Sequence, residues 1–284
     1  MLKKNNFLIE SILFHLMALL TLFSSFALAQ NYAKATALME SYKINHDNKI
    51  KLGLFVNLEK DWHLYWKNSG DSGIPTSIEL SLPKGFSSYD VLFPIPKAFE
   101  FDGIVSYGYE NQVMFVIRVD LTDKIEFKEH VLGIKLKSLI CKDICIPFDT
   151  LLQLTVDLSK DYIAPVDVTN QFNVNEKYFP IKSNNIKASA LLDNDKVFLR
   201  LVGISQNEKA ANSVYFLPYE NGYFLNTTQQ KINWSDDHLE LLLEPEPFRI
   251  KVPKEINGII VFENTEERFA YEIQVPIDNK LTNQ

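Results

Sequence analysis

The sequence predicts an all-β protein of two tandem β-sandwiches, and three observations lead to this fold class. Short segments alternate polar and apolar residues at a period close to two, which is typical of half-buried strands. No stretch carries a sustained apolar period of 3.6 residues, and Gly, Pro and Asn signals separate the segments. The chain is also rich in Phe and Tyr, with 20 and 12 in 284 residues, and aromatic residues favour strands. This pattern favours sandwiches over alternating β and α units.

The first series of predicted strands begins at residue 49, where KIKLGLFVNL alternates clearly between polar and apolar positions. The predicted strands of this series cover residues 49–58, 77–82, 113–119, 130–136 and 151–156. Pro83-Lys84-Gly85 ends the second of them with turn-forming residues. One short helix is predicted over Tyr32–Tyr42, because this Ala-containing segment has good helix propensity.

A second strand series follows a mostly polar run at residues 168–176. Its predicted strands cover residues 186–192, 197–202, 213–217, 223–226, 239–243, 259–262 and 270–275. Asn221-Gly222 predicts a hairpin turn, and Pro245, Pro247 and Pro253 mark a region where no central strand can run. The predicted organisation is therefore a first domain at 30–162, a linker at 163–182 and a second domain at 183–284.

Residues 1–29 are predicted to be a signal peptide rather than part of the fold. Lys3 and Lys4 precede an apolar run over residues 12–26, and Ala27-Leu28-Ala29 forms a small-residue cleavage site. Cleavage is expected after Ala29, and no Cys follows it that could carry a lipid anchor. The chain is therefore expected to be exported to a compartment where two cysteines can pair.

Charge and composition exclude several function classes. With 36 acidic and 29 basic residues the formal charge is −7, which argues against a nucleic-acid-binding surface. The histidines at positions 46, 63, 130 and 238 are isolated in the sequence, and a structural zinc site needs four ligands. We therefore expect no metal, no cofactor and no nucleic-acid partner.

The two cysteines, Cys141 and Cys145, lie together in the segment SLICKDICIP. A continuous strand would separate their Cα atoms by roughly 13 Å at about 3.3 Å per residue, whereas a disulfide needs about 4.4–6.8 Å. A bridged pair thus requires a helical turn or a three-residue hairpin loop, and Pro147 favours the hairpin. So short a loop gains little stability from a disulfide, which favours a redox role. A local structural bridge and a soft metal site remain alternatives.

Three segments of the first half resemble a known family: residues 61–75 (DWHLYWKNSGDSGIP), residues 93–96 continuing to 106–110, and residues 140–147 (ICKDICIP). In this order they are similar to the amino-terminal periplasmic domain of the thiol:disulfide interchange protein DsbD. They are more similar still to its relative ScsB, the suppressor of copper sensitivity. The resemblance covers roughly residues 40–158, and the second half resembles the additional β domain of ScsB-type proteins.

The resemblance implies an immunoglobulin-like fold, a periplasmic location and a catalytic role for Cys141 and Cys145 in thiol–disulfide exchange. It also implies that an aromatic loop shields the pair, which makes Phe101 the candidate shield. The implied partners are a membrane-embedded thiol reductase and oxidised periplasmic thioredoxin-like proteins. Since the sequence contains neither the family's membrane spans nor its thioredoxin-like domain, a separate membrane protein is expected to supply the electrons.

Four other aromatic residues complete the predicted site, although core packing is the more common role for such side chains. They are Trp62, Trp66, Tyr107 and Tyr109. The predicted function is thiol:disulfide interchange that passes electrons from a membrane reductase to oxidised envelope proteins. The alternatives are a non-catalytic envelope interaction module with a structural disulfide, or a binding protein related to copper tolerance.

Overall fold

The computed structural model describes residues 32–44, 46–265 and 267–279. The predicted signal peptide and its cleavage site after Ala29 lie outside the described residues. Within the described ranges, no helix combines the length and the apolar character that crossing a bilayer requires.

The first half of the chain folds into two antiparallel sheets. Its strands are β1 Ala33–Met39, β2 Lys49–Leu58, β3 His63–Gly70, β4 Ser77–Ser81, β5 Phe86–Leu92, β6 Lys97–Phe101, β7 Ile104–Glu110, β8 Gln112–Leu121, β9 Glu129–Cys141 and β10 Cys145–Asp157. One sheet has the order β1-β2-β8-β5, and the other has the order β10-β9-β3-β7-β6. β4 also pairs with β9, along a different part of that strand from the part that pairs with β3. Their facing side chains form one apolar core, which makes this half a β-sandwich.

The Ala-containing segment near the start is strand β1, not the predicted helix. It pairs antiparallel with β2, from Ala33 opposite Leu58 to Met39 opposite Leu52. Both end residues of the strand are buried in the core. Pairing with an apolar neighbour therefore overrides the modest helix propensity of this segment.

The linker contains a helix, α1 Val166–Glu176, where the sequence analysis predicted none. Val168 and Phe172 are its buried residues, and they pack with Phe55 and Met114 on the outer face of the first sheet. This cover explains why β2 is apolar on both faces near Phe55. With only two buried positions, the helix leaves a weak periodic signal in the sequence.

The second half forms a second sandwich. Its elements are β11 Lys187–Asp193, β12 Lys196–Val202, α2 Gln206–Lys209, β13 Ser213–Pro218, β14 Lys231–Trp234, β15 His238–Leu243, β16 Glu255–Glu263 and β17 Arg268–Asn279. The strand order is β13-β16-β17-β11-β12-β15-β14, and the parallel pair β11–β17 joins the two layers. One apolar core lies between the layers, so the fold class predicted from the sequence, two tandem sandwiches, is confirmed.

Two local predictions in the second half are wrong. Residues 223–226 do not form a strand, because only Phe224 makes an isolated bridge, to Pro245. Asn221-Gly222 does form a turn, with Gly222 at φ +83°. This turn does not connect a hairpin, however, because β13 pairs with the distant β16.

The two sandwiches share apolar packing. β13, β16 and β17 send one set of side chains into their own core and the alternate set into the core cluster of the first half. The alternate set is Tyr215, Leu217, Ile259, Val261 and Ala270. That each half folds on its own, with the limits 30–162 and 183–284, stays a prediction.

Candidate functional site

Cys141 and Cys145 lie at the tip of the long hairpin formed by β9 and β10. Cys141 is the last residue of β9, Cys145 is the first of β10, and the two are directly opposite each other. Their Cα atoms are 4.2 Å apart and their sulfur atoms form a disulfide. The predicted three-residue hairpin loop is therefore confirmed, and it consists of residues 142–144. Pro147 is accommodated because β10 is an edge strand.

The two sulfur-bearing residues differ in their access to solvent. Cys141 is 2% exposed, whereas Cys145 and all three loop residues are exposed. A reagent or a protein that approaches the hairpin tip therefore meets Cys145 first. Cys141 lies on the face of its sheet that points away from the core, where neighbouring side chains, Tyr65 among them, bury it.

Tyr65 is the polar group in contact with the buried cysteine. Its hydroxyl donates a hydrogen bond to Sγ of Cys141 over 3.3 Å, and the residue is only 3% exposed. The sequence analysis did not include Tyr65 among the site residues. The sequence signal that indicates Tyr65 is its two-residue spacing from His63, because alternate residues of a strand lie on the same face.

The loop after β3 fixes the position of the Tyr65 ring. Gly73 has φ +84°, and a Cβ atom there would lie 2.2 Å from Cζ of Tyr65, so only glycine fits. The Thr76 hydroxyl donates a hydrogen bond to the Tyr65 carbonyl oxygen. The Asp71 carboxylate accepts a hydrogen bond from the Val105 backbone N–H at 2.8 Å, which ties the loop to β7. The site thus rests on a braced loop.

A row of four side chains crosses the sheet at the level of the disulfide. Glu110 of β7 lies opposite His63 of β3, which lies opposite Cys141, which in turn lies opposite Cys145. Directly opposite residues project to the same face of a sheet. The row therefore places an imidazole next to the buried cysteine and a carboxylate beyond the imidazole.

The His63 ring is held between two aromatic rings. It stacks on Phe99 with 4.9 Å between ring centroids and meets Tyr65 edge-on at 5.2 Å. Burial lowers the pKa of His63 from its usual 6.5, and the Glu110 carboxylate opposes this shift. Lys97 pairs with the same carboxylate at 2.9 Å.

The charges at the hairpin tip are exposed and partly paired. Lys142 contacts the carboxylate of Asp61 at 3.0 Å, and both side chains are substantially exposed. Exposed ion pairs of this kind contribute little free energy. Among the described residues, no three His, Cys, Asp or Glu side chains converge into a metal-binding group.

The other predicted site residues comprise one exposed side chain and four that are buried in the core cluster of the first domain. Phe101, the last residue of β6, is 83% exposed, and its role as a shield of the pair stays a prediction. Trp62 stacks on Tyr32, and Trp66 is fully buried against Tyr107.

Tyr109 is also buried, and its hydroxyl donates a hydrogen bond to the Pro94 carbonyl oxygen at 2.8 Å. Burial raises the pKa of Tyr109 well above its usual value of 10. Like the two tryptophans and Tyr107, it therefore serves the core.

The second domain contacts the loop that supports Tyr65. The Asn226 side-chain amide donates a hydrogen bond to the Asp71 carboxylate at 2.8 Å, and Asn68 donates one to the Pro218 carbonyl oxygen at 2.8 Å. The Lys67 ammonium lies 3.5 Å from the centre of the Tyr219 ring. Burial lowers the pKa of Lys67, while Glu272 opposes the shift. The second sandwich thus contacts β3 and the loop that supports Tyr65.

The first domain is similar to a known protein family. Residues 33–157 match the model of the family described as thiol:disulfide interchange protein DsbD, N-terminal. This part of the chain is similar to the DsbD N-terminal family. The match contains Tyr65, His63 and the whole β9–β10 hairpin with both cysteines. Comparison with curated proteins gave no match.

A solved structure of similar fold covers most of the chain. The N-terminal periplasmic domain of ScsB from Proteus mirabilis is 22% identical, with a TM-score of 0.61, over 86% of this chain and 94% of that chain. The DsbD N-terminal domain of Neisseria meningitidis in the reduced form is 10% identical, over 42% of this chain and 85% of that chain, with a TM-score of 0.25. The likeness to the ScsB domain extends over both sandwiches and shows their common fold.

Proposed function

We propose that this protein is an exported electron carrier that works by thiol–disulfide exchange through Cys141 and Cys145. The observation that carries the proposal is the asymmetry of the disulfide, whose Cys145 side is exposed and whose Cys141 side is buried against Tyr65. A purely structural bridge between directly paired residues closes a very short loop and gains little stability. The family of the first domain supports the same role.

The exposure of Cys145 supports its role as the cysteine that partners attack. A thiolate of the electron donor attacks Sγ of Cys145, a sulfur–sulfur bond forms between donor and Cys145, and the Cys141–Cys145 bond breaks. The electron pair of the broken bond goes to Cys141, where the Tyr65 hydroxyl can donate a hydrogen bond to the new thiolate. A second donor thiolate then releases reduced Cys145 and leaves the donor as a disulfide.

The reduced protein reverses these roles towards an oxidised partner. The Cys145 thiolate attacks the partner's disulfide, and Cys141 then resolves the mixed disulfide. We propose a membrane-embedded thiol reductase as the donor and oxidised thioredoxin-like proteins of the periplasm as acceptors. The ScsB domain with the same fold is described as periplasmic, which supports this compartment.

Trapping in cells tests the proposal. Cys141→Ser leaves the exposed Cys145 without its resolving partner, so it should accumulate a mixed disulfide with an envelope protein. Cys145→Ser should trap far less because its remaining thiol is buried, and the double variant serves as the control. The reduction potential of the native pair should lie above about −300 mV, since structural disulfides lie below it. If neither single variant captures a partner and the potential lies below that value, an interaction module with a static disulfide replaces this proposal.

A further inference from the structure

The exchange reaction needs a proton carrier at the buried cysteine. Cys141 must lose a proton before it can resolve a mixed disulfide, and it must regain one after it has been released as a thiolate. With 2% exposure, Cys141 has little direct access to water. A side chain of the protein next to Cys141 is therefore needed to move the proton.

His63 occupies the position that such a carrier requires. It lies directly opposite Cys141 in the pairing of β3 with β9, where Cβ atoms are about 4.5–5.5 Å apart. Its ring is held in place by the stacked Phe99 and the edge-on Tyr65. Imidazole is the side chain that exchanges its proton in the neutral pH range.

The neighbouring groups supply no equivalent carrier. The phenol of Tyr65 points its hydroxyl at the Cys141 sulfur as a hydrogen-bond donor. Lys142, on the hairpin loop, is exposed and paired with Asp61. Asp143 is exposed on the same loop, on the solvent side of the disulfide.

On the side of His63 away from Cys141, the sheet places a carboxylate that forms an ion pair with a lysine. Glu110 lies opposite His63 on β7, and its carboxylate pairs with Lys97 at 2.9 Å. Phe99 presents only its ring to the imidazole. A half-buried histidine in this setting is largely neutral at pH 7, because burial disfavours the imidazolium, while Glu110 keeps protonation within reach.

We infer that His63 is the proton carrier of Cys141 in the exchange reaction, and this inference rests on the function proposed above. In the resolving step, the proton of the Cys141 thiol passes to a ring nitrogen of His63. The Cys141 sulfur forms its bond to Cys145 while the bond between Cys145 and the partner's sulfur breaks. The electron pair of that bond leaves on the partner's sulfur as a thiolate. The protein is oxidised by two electrons and the partner is reduced by two. His63 then loses the proton to solvent, and it takes up another one for Cys141 when Cys141 is next released as a thiolate.

Glutathione provides a test that does not depend on the natural partners. The reduced protein is mixed with oxidised glutathione, quenched with acid and analysed by mass spectrometry, so that formation and decay of the Cys145 adduct are both followed. His63→Gln should leave adduct formation unchanged and slow its decay at pH 7 by about a hundredfold or more, which is the scale of lost general-base catalysis. The slowing should shrink as the pH rises and Cys141 ionises without help. His46→Gln, at an exposed histidine of the same domain, is the matched control and should behave like the parent.

Two results would overturn the inference. Decay of the adduct at the parental rate between pH 6 and 8 would show that His63 carries no proton. Slowing by one constant factor at every pH would show that the residue only packs against the cysteine. Failure of the trapping experiment together with a reduction potential in the range of structural disulfides removes the electron-carrier proposal but leaves this readout intact.

A measurement on the unmutated protein covers the case in which His63→Gln does not fold. Nuclear magnetic resonance can follow the titration of the His63 ring in the oxidised and in the reduced protein. A proton shared with Cys141 couples the two titrations, so the apparent pKa of the ring should differ between the redox states. Equal titration curves in both states would contradict the inference.

Discussion

Removal of the Tyr65 hydroxyl should raise the pKa of the Cys141 thiol by about one unit. The hydroxyl lies 3.3 Å from the sulfur and the residue is 3% exposed, so water cannot replace the lost hydrogen bond. A hydrogen bond to a charged acceptor contributes about 1.5–3 kcal/mol, against about 0.5–1.5 kcal/mol for a neutral one. The difference of about 1–1.5 kcal/mol corresponds to about one pKa unit at 1.36 kcal/mol per unit.

The assay uses Cys145→Ser, in which Cys141 is the single thiol. Ultraviolet absorbance of the thiolate is recorded against pH with Tyr65 and with Tyr65→Phe. Tyr107→Phe is the matched control, because Tyr107 is a fully buried tyrosine of the same domain that packs on Trp66 instead. An unchanged thiol pKa in Tyr65→Phe, or an equal shift in Tyr107→Phe, would refute the assigned contact.

Three further predictions concern stability, each measured by urea unfolding. Because burial lowers the pKa of His63, the unfolded chain binds the proton more tightly, so the free energy of unfolding should fall as the pH drops below about 6.5. His63→Gln should weaken this dependence, and an identical pH profile would contradict it. Gly73→Ala should lower the free energy of unfolding by more than the ~1–2 kcal/mol that a positive φ costs, because its Cβ would clash with Tyr65. Gly103→Ala, with a similar φ and open space around it, should lose only the free energy that the φ costs. Equal losses in the two variants would disprove the clash. Leu217 is fully buried at the interface between the sandwiches. Leu217→Ala should therefore lower the free energy of unfolding by about 2–5 kcal/mol, in a single transition. A transition that splits in two would show that the halves unfold independently.

Patterns within one segment made the main features predictable from the sequence. The alternation in residues 49–58 corresponds to strand β2, and the C-x3-C spacing with Pro147 led to the correct hairpin. Both signals depend on local geometry, namely the period of a strand and the reach of a disulfide. The family resemblance of the first domain was also detectable from the sequence, because its most specific motif lies within one short segment, residues 140–147.

Features that depend on pairing between distant segments were not predictable. Residues 33–39 form a strand because β2 offers them an apolar partner, and nothing in the segment itself reveals that partner. Tyr65 reaches Cys141 across 76 residues of sequence, and Asn226 reaches Asp71 across 155. Phe101 was chosen by alignment alone, and its exposed position at the end of β6 follows from the pairing of β6 with β7.

The direct pairing of Cys141 with Cys145 has a consequence for how partners can recognise the protein. The β9–β10 ladder holds the two residues opposite each other whether or not their sulfurs are bonded, so reduction leaves the outline of the hairpin tip nearly unchanged. Under the proposed function, donors and acceptors would then meet almost the same surface and compete for it. Tight binding of either would block the other, so turnover requires brief encounters over a small contact area, as in other electron-transfer complexes. In the proposed carrier, discrimination between donors and acceptors must therefore come from the chemistry of the two sulfurs. The shape of the hairpin tip is nearly the same in the oxidised and in the reduced protein.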